Sequence, residues 1–150
     1  MPQSYTSLHC HVTFGTKDRR PHLTTGLRSR VFSYMAGIAK NEKGLLLAAG
    51  GTQDHVHLLV GLHAETAVAG LLRVMKANSS KWIHENFPDE SAFAWQAGYG
   101  AFSVSRSNLD SVRAYIENQE EHHRRLSFEE EFRVLLERHG IEYDPRYLWG

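Results

Sequence analysis

Only one cysteine, Cys10, occurs in the 150 residues. No disulfide can form within the chain, and the composition fits a reducing compartment. Long apolar runs are also missing, and the opening MPQSYTSLHCHV has neither the basic nor the apolar region of a secretory signal. A soluble cytoplasmic protein without membrane contact is therefore expected. Net charge is absent too: 17 Lys and Arg balance 17 Asp and Glu, which argues against a protein held on bulk duplex DNA by counterion release. Local charge is less even. Basic residues gather at Lys17, Arg19 and Arg20, at Arg73, Lys76 and Lys81, and at Arg106, Arg113, Arg124 and Arg125, enough for a small basic groove but not for a broad basic face. No repeat, low-complexity stretch or linker interrupts the chain, so residues 1–150 read as a single domain.

Hydrophobic periodicity gives the order of elements. Residues 6–14 alternate, with Leu8, Cys10, Val12 and Phe14 on one face and Ser7, His9, His11 and Thr13 on the other, a half-buried strand. After Pro21 and Gly26, Val31, Tyr34, Met35 and Ile38 recur at helical spacing up to Gly44. Leu45 to Ala49 and Asp54 to Leu62 read as two antiparallel strands broken at Gly50 and Gly51. A long amphipathic helix follows from Thr66 to about Phe87, stopped by Pro88. A loop with Trp95 leads to a fourth strand over Gly98 to Ser105, then to a helix running to about His122 and another from Phe128 to Arg138. The fold class is α+β: a ferredoxin-like βαββαβ four-stranded antiparallel sheet, two helices on one face, with additional C-terminal helices. That arrangement leaves the second face of the sheet open.

Two features carry chemistry. In Asp54-His55-Val56-His57 the period of two sends both imidazoles to one face while Val56 points into the core. Neutral imidazole binds divalent metals, yet two ligands seldom suffice, so a third must come from elsewhere. Tyr115 and Gln119 lie four residues apart on the helix after the last strand, on one face of it. His9 and His11 form a second His-x-His pair on the neighbouring strand; His11 reads as support for the site or as a phosphate contact, His9 as a surface residue. His122 can approach the site, but His122 and His123 read first as a solvated basic helix end with Arg124 and Arg125. Tyr99, between two glycines, is a rival nucleophile and more plainly a packing or base-stacking residue. Trp95 can stack a flipped base or cover the core. Tyr143, Tyr147 and Trp149 are expected to pack on the body.

Taken together, His55-Val56-His57, Tyr115 with Gln119, the strand running into Thr16-Lys17, DHVHLLV, KANSSKW, WQAGYGAFSVS and YIENQEEHH resemble the single-tyrosine HUH transposases, the small insertion-sequence family that includes the REP-associated members. The resemblance spans nearly the whole chain. It implies Tyr115 as the nucleophile, His55, His57 and Gln119 as ligands of a divalent metal, Mg2+ or Mn2+, and single-stranded DNA bearing a hairpin as substrate. It further implies cleavage and rejoining through a 5'-phosphotyrosine, in a homodimer whose sites can be shared between subunits, acting at the nucleoid. His11, Lys17, Arg73, Lys76, Lys81, Trp95, Tyr99 and Arg106 are the expected nucleic-acid contacts. A phenol of pKa about 10 is a poor nucleophile at neutral pH unless a cation stabilises the charge on phenolate and phosphate, so a metal beside Tyr115 is chemically coherent.

Two other classes share parts of this pattern. An RRM has the same element order, but its aromatic motif belongs on the third strand, whereas Gly98-Tyr99-Gly100-Ala101-Phe102 falls on the fourth and lacks a preceding cation. A histidine-triad hydrolase would need a histidine where Leu59 stands. The remaining alternative is a domesticated, catalytically silent protein that binds hairpin DNA or RNA.

Overall fold

A computed structural model describes residues 3–149. Strand β1 (His9–Gly15), helix α1 (Thr25–Asn41), strands β2 (Leu45–Gly51) and β3 (His55–Gly61), helix α2 (Val68–Asn86), strand β4 (Gly100–Ser103) and helices α3 (Leu109–Glu117), α4 (Gln119–His122) and α5 (Phe128–Arg138) follow in chain order. The sheet order is β2-β3-β1-β4, all pairs antiparallel, so β1 and β3 are central. The α+β, ferredoxin-like architecture expected from the sequence is the observed one. No helix among the described residues is long and apolar enough to cross a membrane.

Alternation divides the sheet residues cleanly. Cys10, Val12, Phe14, Val56, Leu58 and Val60 point to one side, where Val31, Met35, Leu72, Met75 and Ile83 of α1 and α2 complete the main core. Apolar burial at about 25 cal/mol per Å² is what holds this layer. The fourth strand is shorter than its alternation indicates, Gly100–Ser103 rather than Gly98–Ser105, because only Cys10 to Thr13 of β1 pair with it.

The opposite face is where the structure departs from expectation. It is not open. Ile116 of α3 packs on Ala48 and Leu59, and Phe128, Phe132, Leu135 and Leu136 of α5 close over Phe102 with Tyr143, Leu148 and Trp149 around them. The apolar stripe of α5 is buried on the sheet face at Phe102. Ser127 caps this helix, its hydroxyl accepting from Glu130 N at 3.2 Å and donating to the Glu130 carboxylate at 3.0 Å. At the other end Gly140, at φ +66°, ends it with Gly140 N to Glu137 O and Ile141 N to Leu136 O bonds, a Schellman closure that needs the left-handed conformation. Tyr147 stays 73% exposed, contrary to the expectation that it packs.

Candidate active site

Strand β3 carries His55 and His57 into the space between the sheet and α5, and both are fully buried. Small partners make room: His57 lies opposite Thr13 and Gly50, and His55 opposite Gly15. Phe128 stacks flat on the His55 ring, with centroids 4.3 Å apart.

Helix α3 brings Tyr115. Its distance from the sheet is set at Gly50, where an added Cβ would sit 1.9 Å from the Ile116 carbonyl oxygen; only glycine lets the helix backbone rest directly on β2. The helix expected to run to His122 breaks at Asn118 (φ −106°, ψ 26°). Gln119 opens the next short turn, with its side chain in the site.

These side chains meet on Glu131 of α5, whose carboxylate is 1% exposed. Its Oε1 lies 2.8 Å from His57 Nε2, 3.1 Å from His123 Nε2 and 3.6 Å from His55 Nε2. Its Oε2 accepts from the Tyr115 hydroxyl and from Gln119 Nε2, the latter at 3.1 Å. Behind these groups, His57 Nδ1 is 2.7 Å from His11 Nε2, and His55 Nδ1 is 2.9 Å from Asp54 Oδ1.

Glu131 and His123 were missed as site residues. Glu131 stands in a run of three acids, but it alone falls on the stripe Phe128, Phe132, Leu135, and an acid on an apolar stripe was the available signal. The break at Asn118 turns His123, rather than His122, into the site. His122 instead lies against the Tyr115 ring, centroids 4.5 Å apart.

Other expected nucleic-acid contacts are not brought to this place. Trp95 is 8% exposed in the main core between Phe14 and Phe93, its indole N–H donating to Ser79 Oγ at 3.0 Å, so no base can stack on it. Lys76 Nζ donates to the carbonyls of Gln96, Ala97 and Gly98 and ties down the loop before β4. Arg73 and Lys81 are exposed on α2, the layer on the far side of the sheet, and Lys81 pairs with Glu85 at 3.8 Å. Tyr99 is 37% exposed beside Arg73 and Lys76. Lys17 and Arg106 are exposed outside the buried cluster. His11 is 5% exposed, too enclosed to meet a phosphate as the site stands, and supports His57.

Burial holds His57 down to about 4, although the Glu131 carboxylate pulls the other way. Burial, with the nearby His57, likewise lowers His11 to about 3. Burial pushes Glu131 up, but hydrogen bonds from His123, His57 and Tyr115 outweigh it and leave the carboxyl well below its usual range. The Tyr115 phenol is raised by burial and by the Glu131 charge it faces. Neutral imidazoles around one carboxylate are what a divalent cation binds.

His55, His57 and Glu131 each offer one ligand atom, and these atoms all lie within 4.8 Å of one another. Adjacent ligands on an octahedron about 2.1 Å from its ion lie about 3 Å apart, and Glu131 Oε1 lies 2.8 Å from His57 Nε2 and 3.6 Å from His55 Nε2. His55 Nδ1 lies 2.9 Å from Asp54 Oδ1 and its Nε2 lies 2.9 Å from Gln119 Oε1. Gln119 Nε2 donates to Glu131 at 3.1 Å, which turns the Gln119 oxygen toward His55, where a carboxamide oxygen and an imidazole nitrogen could both serve a cation.

The histidines also make the ion-free fold acid-sensitive. Unfolding raises His57 and His11 back to about 6.5, so the unfolded chain takes up protons that the fold refuses as pH falls below that value. Glu131, depressed in the fold, adds to the loss below about 4.5. Stability is full above about pH 6.5 and should fall by on the order of 3 kcal/mol per histidine by pH 4. Urea denaturation of metal-free protein at pH 7 and pH 4.5 measures this, and an unchanged midpoint would show that the buried imidazoles are protonated in the fold.

A family model for IS200-like transposases matches residues 4–119. The chain belongs to this family. The transposase for insertion sequence element IS200 of Salmonella typhimurium is 25% identical over 123 residues, covering 77% of this chain and 80% of that protein, and its Salmonella typhi counterpart matches equally. Among solved structures, a candidate transposase from Deinococcus radiodurans R1 superposes with a TM-score of 0.65 at 24% identity, covering 79% of this chain and 96% of that one. A REP-associated tyrosine transposase bound to a REP hairpin gives 0.54 at 14% identity, over 77% of this chain and 67% of that one. These structural likenesses establish the shared fold. The IS200-like match ends at Gln119, so Glu131 and His123 lie outside the stretch that defines the family.

Proposed function

We propose that this transposase cleaves and rejoins single-stranded DNA at hairpin-bearing element ends, with Tyr115 as nucleophile and His55, His57, Gln119 and Glu131 as the ligands of a divalent metal, Mg2+ or Mn2+. The observation that carries the reading is the meeting of the Tyr115 hydroxyl, the imidazoles of His55 and His57 and the Glu131 carboxylate in a single buried cluster. The hairpin bound by the REP-associated relative supports the substrate.

In this reaction the phenol gives its proton to water, its oxygen bonds to phosphorus, and the bond from phosphorus to the 3'-oxygen breaks, that oxygen taking up a proton from water. The product is a 5'-phosphotyrosine and a free 3'-hydroxyl. Attack by another 3'-hydroxyl reverses the step and rejoins DNA without ATP. A bound divalent ion would neutralise the charge that builds on the phosphate and the departing oxygen. The residues of the chain do the rest. Asp54 and His11 orient the two imidazoles, Gln119 turns its oxygen inward, and Glu131 holds the phenol hydroxyl beside His57. Within one chain the Tyr115 hydroxyl donates to Glu131, and in the proposed homodimer the tyrosine serves its own protomer's site or its partner's. The reading places the protein in the cytoplasm, at the nucleoid when acting.

The test is mass-spectrometric mapping of the DNA-linked peptide after incubation with Mn2+ and labelled single strands from the ends of its own genetic element. The expected result is one metal-dependent adduct, on the peptide carrying Tyr115. Hairpin binding with no adduct would instead favour the silent DNA-binding protein, and an adduct on the peptide carrying Tyr99 would move the nucleophile.

A further inference from the structure

Beside the buried cluster, on the outer side of Tyr115, lies a cavity of about 280 Å³ between β4, α3 and the end of α5. Tyr115 and His11 form its inner wall, and these two residues contact Glu131 and His57 in turn. The His139 ring is stacked on Phe102, centroids 4.4 Å apart and 26° from parallel, and presents a flat aromatic surface to the space.

Three polar side chains around this surface are uncommitted. Asn108 precedes α3 but makes no capping bond, and among the described residues its carboxamide has no hydrogen-bond partner. The same holds for the Ser103 hydroxyl, and the exposed Arg138 guanidinium enters no ion pair among the described residues. Arg138 is near enough for its charge to oppose the rise of the Tyr115 phenol. A flat ring, a carboxamide able both to donate and to accept, and a free guanidinium match the base, base edge and phosphate of a nucleotide. The volume is at the small end of ligand sites, which begin near about 300 Å³. It suits one nucleoside and excludes a base pair.

We propose that this cavity is a subsite for the single unpaired nucleotide immediately 3' of the cleaved bond, its base on His139, its edge read by Asn108 and its backbone held by Arg138. The proposal rests on the cleavage reading above. In an in-line displacement the departing 3'-oxygen lies opposite the attacking phenol, so the upstream nucleotide leaves on the far side. The nucleotide that stays joined through its 5'-oxygen is the one able to lie on the tyrosine's side, where the cavity is.

The experiment uses the whole protein with Mn2+ and a random-sequence pool of single-stranded, hairpin-bearing oligonucleotides, and sequences the strands captured covalently. The first base of each captured strand is the one the subsite would read. In the wild type one base is expected to be enriched by about tenfold, the discrimination of one well-read base edge. Asn108→Ala should reduce this to about twofold or less, since the edge contact is gone. Arg138→Ala should slow capture of all bases alike, as a backbone contact does. Capture with the same bias in wild type and Asn108→Ala, or with none in the wild type, overturns the subsite and leaves the cleavage reading intact. No capture by any protein overturns the cleavage reading and the subsite with it.

Discussion

Tyr115→Phe should form no covalent adduct with DNA while keeping its fold. The change removes one oxygen. The ring that remains is held by its neighbours, His122 at 4.5 Å and His57 at 5.9 Å between centroids. Glu131 loses one donor but keeps His57, His123 and Gln119, so the variant should lose only about 2 kcal/mol of stability, the worth of a hydrogen bond to a charged group. The chemical loss is of another order. Deleting the nucleophile of a preorganised site lowers turnover by on the order of a thousandfold or more. Thermal denaturation and a denaturing gel of the Mn2+ reaction measure both effects. Adducts at the wild-type level would remove Tyr115 from the mechanism.

Gly50→Ala should damage both stability and activity, though Gly50 touches no substrate. Its Cβ would be 1.9 Å from the Ile116 oxygen and 2.8 Å from the Ile116 carbonyl carbon. These are backbone atoms that cannot rotate away. Helix α3 must therefore lift from β2, and Ile116, fully buried against Ala48 and Leu59, must loosen with it. Overpacking of this kind costs about 3 kcal/mol. Tyr115 is carried on the same helix and Gln119 follows it, and a shift of about 1 Å at a reacting group can cost about a hundredfold in rate. Gly37→Ala is the matched control: an added Cβ there meets nothing within 4 Å, and replacing glycine inside α1 should stabilise by about 0.5–1 kcal/mol. Equal melting temperatures and adduct yields for Gly50→Ala and the wild type would show that α3 is not seated by Gly50.

Much of this arrangement was legible because strand alternation is a strict signal. One residue in two changes face, so DHVHLLV placed His55 and His57 together and gave Val56, Leu58 and Val60 to the core without further information. The four-residue interval from Tyr115 to Gln119 still brought both to one site, even across the break at Asn118. What was hidden is long-range. Nothing local to Phe128 to Arg138 states which surface the helix will cover, and charge alone made Glu129, Glu130 and Glu131 look like one solvated run. Trp95 misled for a related reason. A loop aromatic before a strand is equally suited to a ligand and to a core, and only the contact with Phe14 decides.

The donor set is also divided along the chain in a way that matters while the protein is being made. A polypeptide leaves the ribosome from its N-terminus, so the strand bearing His55 and His57 is free to fold while α5 is still unsynthesised. Until then the imidazoles lack the carboxylate of Glu131, and the face they occupy is uncovered. The nascent chain therefore passes through a stage with its histidines exposed and its tyrosine unheld, and the site closes only when synthesis has gone past the last turn of α5. Synthesis of α5 is thus a condition for assembly of the cluster.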